Sequence, residues 1–172
     1  MEKLPGDYIT GFVDGEGCFA LKFRRDVRHD RKNKPVYFYW DIEFAIVLRA
    51  DDLDLLKKIQ LSLGCGKISV SKRDQARYSV NKITDLSNKI VPFFERHSLH
   101  GKKRFDFELW KEAVLIFRNN QRIGLNRKKG EKGFHKTNWN HRDLQRLIEI
   151  HKEMANYKSK SSKEWKWLLR AI

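Results

Sequence analysis

The chain has 172 residues, of which 40% are hydrophobic and 34% are charged, a balance that excludes both a disordered chain and a membrane protein. Its 37 lysines and arginines against 22 acidic residues give a net charge of +15, which favours nucleic acid over a small molecule as partner. No apolar run approaches the ~18 residues that cross a bilayer, and Met1–Pro5 lacks a signal-peptide core. We therefore expect an intracellular protein, from a bacterial cytoplasm or an organelle, in which Cys18 and Cys65 are unpaired and buried.

The first predicted element is a short helix from about Pro5 to Glu16, in which Ile9, Val13 and Glu16 share one face. The glycine that follows ends this helix. Apolar and basic side chains then alternate, which predicts a half-buried strand. Residues 24–34 include six lysines or arginines and predict an exposed hairpin loop.

A second strand is predicted from Val36 to Arg49, with apolar residues on one face and polar or aromatic residues on the other. Asp51 or Asp52 can cap a second helix, which Gly64 ends. A second hairpin follows, and its inward residues are predicted from alternation. These are Ile68, Val70, Tyr78 and Val80.

The remaining pattern predicts helices only. Thr84 is expected to cap one helix, and a longer one is expected from Arg104 to about Asn120. The order αββαββα indicates an α+β fold, in which helices cover one face of a four-stranded antiparallel sheet. We assign residues 1–122 to this core, and residues 123–172 to a basic connector and a C-terminal helical extension packed on the same domain.

The segment from Ile9 to Gly17 closely resembles the motif of LAGLIDADG homing endonucleases, and its string GFVDGEG carries the match. Gly11 and Gly15 are four residues apart, so two copies of the helix could approach closely along that face. The resemblance covers roughly residues 4–117. It implies that the family's helix pairing uses Gly11, Phe12, Asp14 and Gly15.

The resemblance also implies a metal site at the end of this helix. Glu16 matches the second acidic position and is the expected metal ligand, together with the carbonyl of Gly15. Mg²⁺ is the expected ion, with Mn²⁺ or Ca²⁺ as possible substitutes, because such hard cations take oxygen ligands. Asp14 matches the first acidic position, where a carboxylate could instead accept backbone hydrogen bonds and brace the helix pair.

Two further catalytic positions follow from the resemblance. Lys102 or Lys103 stands where the family often has a lysine that orders water or offsets charge, and the sequence leaves both registers open. The family often has a polar residue near the end of the second strand, where this chain has Val47, Leu48 and Arg49. Arg49 is the candidate for that role.

DNA contacts are expected from outward strand residues, which can read base edges, and from basic loop residues, which can hold phosphates. Alternation and charge select Lys22, Arg24, Arg28, Arg31, Lys32, Lys34, Tyr37, Tyr39, Asp41, Glu43, Lys67, Ser69, Ser71, Arg73, Arg77, Ser79, Lys128 and Lys129. Of these, Asp41 and Glu43 could accept hydrogen bonds from cytosine.

The chain carries one copy of the motif, whereas cutting both strands requires two sets of catalytic groups. The resemblance therefore implies a homodimer that cleaves double-stranded DNA at a long, nearly palindromic site by Mg²⁺-dependent phosphodiester hydrolysis. Two alternatives remain open at this point. They are a maturase that binds intron RNA and a DNA-binding regulator that does not cut.

Overall fold

The computed structural model describes residues 2–27, 29–30, 32, 36–125 and 140–155, without the side chains of residues 25, 26, 36–38 and 121–125. The elements in chain order are α1 (Gly6–Glu16), β1 (Gly17–Val27), β2 (Val36–Arg49), a 3₁₀ turn (Ala50–Asp52), α2 (Leu53–Leu63), β3 (Lys67–Val70), β4 (Gln75–Val80), α3 (Ile83–Asp85), a π-helical turn (Leu86–Ile90), α4 (Val91–Arg96), α5 (Lys103–Leu125) and α6 (His141–Ala155).

The four strands form one antiparallel sheet in the order β1-β2-β4-β3. This arrangement confirms the predicted α+β fold and its αββαββα order. The predicted cap at Thr84 is wrong, since the helical segment begins at Ile83 and Lys82 occupies the N-cap position without a side-chain cap bond. Helix α5 also continues beyond its predicted end to Leu125.

The core lies between the helices and the inner face of the sheet. Phe19 is at its centre, with ring centroids 5.1–5.4 Å from those of Phe44, Phe94, Phe107 and Trp110. All five side chains are almost fully buried. Such aromatic packing removes a large apolar area from water and fixes α4 and α5 against β1 and β2.

Three side chains that were predicted to be buried are not fully buried, and two of them are exposed. Val70 is 55% exposed, because β3 is a four-residue edge strand with a neighbour on one side only. Cys18 is exposed, since it precedes the buried Phe19 and so faces the opposite side of the sheet. Cys65 is half-buried, next to the hydroxyl of Tyr78.

The β1–β2 hairpin extends beyond the other strands, because β4 pairs only with residues 44–49 of β2. Helix α6 supports this extension from the inner side, where His151 packs edge-on against Trp40 at 5.6 Å between ring centroids. Arg146 of α6 donates two hydrogen bonds of 2.7 Å to Glu112 of α5. Across the described ranges, none of the helices is both long and apolar enough to cross a membrane.

Candidate active site and nucleic-acid interface

Helix α1 has one face in the core and one face open. Ile9 and Val13 are fully buried. On the other side, a side chain added at Gly11 or Gly15 would meet no atom of the described residues within 4 Å. Two interior glycines cost a helix roughly 0.5–1 kcal/mol each relative to alanine. Packing among the described residues does not explain them, whereas close approach of a second helix would.

Two aromatic side chains flank this open glycine face. Tyr8 is 49% exposed, and its ring stacks on that of Phe12 with 6.4 Å between centroids and 13° between planes. Tyr8, Gly11, Phe12 and Gly15 follow the spacing of one helical stripe. We call these four residues the α1 open face.

The end of α1 carries the predicted metal ligand. Glu16 is exposed, and the chain enters β1 at Gly17, where any side chain would collide with Val13 at 2.5 Å. Gly17 pairs with Ile46, so α1 ends where β1 begins, at the edge of the sheet. Glu16 is the last residue of α1 and immediately precedes this pair.

Of the two predicted lysines, Lys103 is the one that contacts the end of α1. Its ammonium group donates hydrogen bonds to the carbonyl oxygens of Asp14 at 3.1 Å and Gly15 at 3.0 Å. These carbonyls belong to the last turn of α1, where a positive charge also interacts favourably with the helix dipole. Lys102 is exposed at the start of α5. Lys103 is thus the lysine beside the predicted metal ligands.

Asp14 braces the chain segment that leads to this lysine. Its carboxylate accepts a 2.8 Å hydrogen bond from the backbone N–H of His100, and its other oxygen is buried without a hydrogen-bond partner in the described part of the chain. A side chain at Gly101 would lie 3.1 Å from that oxygen. The carboxylate of Asp14 is therefore bound within its own chain, unlike the α1 open face.

Arg49 is the last residue of β2, where it forms a 3.1 Å ion pair with Asp51 and its side chain is 74% exposed. Val47, two residues earlier and 37% exposed, pairs with Arg77 of β4. Sequence alternation placed Arg77 on the outer face. It could not show which residue of β2 Arg77 pairs with, because that depends on pairing between distant strands.

Ion pairs connect the acidic and basic residues of the outer face. Arg77 lies 2.7 Å and Lys22 lies 3.1 Å from the same carboxylate oxygen of Glu43. A third cation, Arg24, lies 2.7 Å from Asp41. Both carboxylates that could read cytosine are thus paired with cations of neighbouring strands.

Most of the other predicted DNA-binding residues in the described part are exposed, namely Lys32, Tyr39, Lys67, Ser69, Ser71 and Arg73. Ser79 is on the predicted face but is only 4% exposed, so the expectation of an accessible hydroxyl there is wrong. On the outer face, Arg77 and Val47 form one cross-strand pair, and Ser79 and Ala45 form the next pair along the strands. The side chain of Arg77 extends past this second pair to reach Glu43, which explains the burial of Ser79 and Ala45. Outside the described residues or side chains lie Arg28, Arg31, Lys34, Tyr37, Lys128 and Lys129.

The donor set that one chain offers a metal is small. No group of three or more His, Cys, Asp or Glu side chains that could hold a metal occurs among residues that the structure describes. The end of α1 offers the exposed carboxylate of Glu16 and the carbonyl of Gly15. This set suits Mg²⁺, which commonly uses one or two carboxylates and completes its shell with water and phosphate oxygens.

The chain is similar in sequence to intron-encoded endonucleases. It is 34% identical over 122 residues to probable intron-encoded endonuclease 3 of Neurospora crassa, covering 68% of this chain and 22% of that protein. It is 32% identical over 101 residues to probable intron-encoded DNA endonuclease 1 of Mycosarcoma maydis, covering 59% and 34%. The chain therefore spans a third or less of the length of these curated relatives.

The fold is similar to those of solved homing endonucleases. The homing endonuclease I-TnaI matches with a TM-score of 0.73 and 25% identity over 99% of both chains. The I-LtrWI LAGLIDADG homing endonuclease bound to target DNA matches with a TM-score of 0.67 and 23% identity, over 89% of this chain and 45% of that chain. The LAGLIDADG endonuclease family matches residues 9–114, more than half of the sequence. On these grounds the chain belongs to the LAGLIDADG homing endonuclease family.

Proposed function

We propose that the chain cleaves double-stranded DNA as a homodimer at a long, nearly palindromic site, with Mg²⁺ as cofactor. The observation that carries the proposal is the end of α1, where Glu16 is exposed beside Lys103 and next to a helix face with open space around two glycines. A basic sheet face adjoins this point. Together these features combine a candidate catalytic carboxylate, a neighbouring cation and a surface for DNA.

Two copies of the chain are needed for this proposal. Pairing through the α1 open face would bring two Glu16 carboxylates close together, one for each DNA strand. The similarity to DNA-bound I-LtrWI covers 45% of that chain, as expected if this chain corresponds to one of two halves. Gly11, Phe12 and Gly15 are the proposed contacts, whereas Asp14 would support the pair from within each chain.

Glu16 and the carbonyl of Gly15 would hold the ion. When bound, Mg²⁺ activates water and stabilises negative charge on the phosphate oxygens. The related endonuclease I-SmaMI has been crystallised with uncleaved DNA and calcium ions, which supports an oxygen-ligated divalent site. Mn²⁺ and Ca²⁺ are proposed as substitutes with the same ligands.

The other candidate residues are proposed to act at the metal site, on the DNA backbone or on the bases. Lys103 would fix the orientation of the Gly15 carbonyl and offset negative charge at the phosphate. Arg49 and Lys102 are proposed to attract the DNA backbone near the site, since both are exposed. Basic and hydroxyl groups of the outer sheet face would contact bases, and loop lysines and arginines would contact phosphates without selecting sequence.

Lys103→Met is expected to slow cleavage about a hundredfold with little change in DNA affinity, because a preorganised charge at the reacting phosphate is lost. Lys102→Met, one residue away, is the matched control and should mainly weaken binding slightly. Single-turnover cleavage and equilibrium binding would be measured for both variants. Equal cleavage rates in the two variants would contradict the assignment to Lys103.

The proposed function is tested by cleavage of a randomised half-site library with and without Mg²⁺. Selective, Mg²⁺-dependent cutting of both strands at related half-sites is the expected result. A DNA-binding regulator is the second candidate, because β2 ends in Val47, Leu48 and Arg49 and the apolar Val47 is 37% exposed there, where the family often has a polar side chain. Selective binding without nicking in Mg²⁺ would favour the regulator and contradict the nuclease.

A further inference from the structure

The outer sheet face holds a largely buried carboxylate between two cations. Glu43 of β2 has a side chain that is 13% exposed, and it receives Lys22 from β1 and Arg77 from β4. Both cations bind the same oxygen, at 3.1 Å and 2.7 Å. The three residues form one continuous ion-pair cluster across three strands.

The charge state of Glu43 is set by these neighbours. Burial by itself would raise the pKa of the carboxyl, but hydrogen bonds from Arg77 and Lys22, and their positive charges, outweigh burial and hold the pKa below its usual value. The carboxylate is therefore ionised at neutral pH. It cannot donate a hydrogen bond, and both of its charged partners belong to this chain.

The strand register shows where Lys22 and Arg77 start relative to Glu43 and in which direction each side chain must extend to reach it. Arg77 pairs with Val47, whereas Lys22 pairs with Asp41, farther out along the hairpin. Ala20 pairs with Glu43, and the row between Glu43 and Arg77 contains the small residues Ala45 and Ser79. Arg77 crosses that row to reach Glu43, so its side chain lies along the sheet in a fixed direction.

We infer that Glu43 is a specificity-determining residue that acts through Lys22 and Arg77, whose side chains it orients for base recognition, rather than by contacting a base itself. This inference rests on the proposed function and refines it. Long basic side chains lose conformational freedom when they bind, and ordering them beforehand lowers that cost for the matching bases only. A free lysine or arginine would instead contact any phosphate within reach.

The same carboxylate opposes binding to DNA of arbitrary sequence. A negative charge within the basic face repels phosphates, so it lowers sequence-independent affinity. Both effects of Glu43, orienting the two cations and repelling phosphates, therefore increase the preference for the matching bases. Removing the charge should leave total affinity unchanged or higher and should reduce selectivity.

Glu43→Gln tests this inference, because it keeps the shape of the side chain and removes its charge. Binding to a randomised half-site library in the absence of divalent metal is the measurement. At the positions read by Lys22 and Arg77, the ratio of preferred to other bases should fall about tenfold, within the range that one bidentate contact provides. The salt dependence of binding should steepen by up to about one counterion. Glu108→Gln, which disrupts an ion pair with Lys111 on α5, is the matched control and should leave the base preferences unchanged.

A mutant cycle separates an indirect role from direct reading. In a chain that already carries Lys22→Met and Arg77→Met, Glu43→Gln should cause no further change in base preference, because its partners are absent. The same loss of preference in both backgrounds would overturn the inference and make Glu43 a base-contacting residue. Unchanged preferences in Glu43→Gln alone would overturn it as well.

Two controls keep the outcomes distinct. Thermal unfolding would be followed for each variant, and if Glu43→Gln does not fold, Glu43→Met replaces it with the same expectation, because methionine is of similar length and also removes the charge. A wild-type chain that binds no library member selectively would defeat the proposed function. Selective wild-type binding with unaltered preferences in the variant would defeat only the role of Glu43.

Discussion

Glu16→Gln is expected to abolish DNA cleavage while DNA binding persists. The amide keeps the size of the side chain but loses the charge that a hard divalent cation requires. A catalytic metal contributes several kcal/mol, and each 1.36 kcal/mol changes a rate tenfold, so the loss should be at least about a thousandfold. Single-turnover cleavage in Mg²⁺ and a gel-shift measurement of binding would check both parts.

Glu16→Asp is the control for this experiment. It retains a carboxylate one methylene shorter, which can still bind a hard divalent cation, so measurable cleavage should remain. Parental activity in Glu16→Gln would show that the end of α1 is not the catalytic centre. Loss of binding in that variant would instead point to a role in contacting DNA.

Gly11→Leu or Gly15→Leu is expected to weaken self-association without destabilising the folded monomer. At neither position would an added side chain meet an atom of the described residues within 4 Å, and leucine is a better helix former than glycine by somewhat less than 1 kcal/mol. The isolated chain should therefore keep or slightly raise its thermal midpoint. Self-association should weaken about a hundredfold or more, because overpacking costs roughly 1–3 kcal/mol in each of two copies.

Sedimentation with and without DNA, together with thermal unfolding, measures these opposite effects. The corresponding alanine substitutions provide a graded control, because a single methyl group should weaken pairing less than leucine. A dimer that withstands leucine at both positions would place the interface elsewhere. Loss of cleavage should follow loss of the dimer, since each chain supplies one Glu16.

The sequence predicted the order of the elements and the faces of the sheet well, because both follow from local periodicity. Phe19 starts the alternation that continues through Leu21, Lys22 and Phe23, and Phe44 follows Glu43; the burial of both rings in one aromatic cluster agrees with that pattern. The failures at Val70 and Ser79 have non-local causes. Val70 is exposed because β3 is an edge strand. Ser79 is buried because the side chain of Arg77 passes over it to reach Glu43.

The candidate site was predictable only as far as the motif string extends. The string predicted Glu16 and the glycine face as site residues, but neither spacing nor composition could show that Lys103, and not Lys102, contacts the end of α1. That choice depends on how the turn after α4 is held, and Asp14 holds it through the N–H of His100. The pairing of Glu43 with two cations was likewise hidden, because it requires the register of three strands.

Helix α6 carries no candidate catalytic residue among its described residues, yet it supports the part of the β1–β2 hairpin that extends beyond the other strands. The outer half of β2 has a strand neighbour on one side only, and the contact of His151 with Trp40 stiffens it from behind. A bare two-stranded ribbon would flex and fray at its tip. Helix α6 thus supports the outer half of the hairpin, and shortening this helix should loosen the part of the sheet farthest from α1.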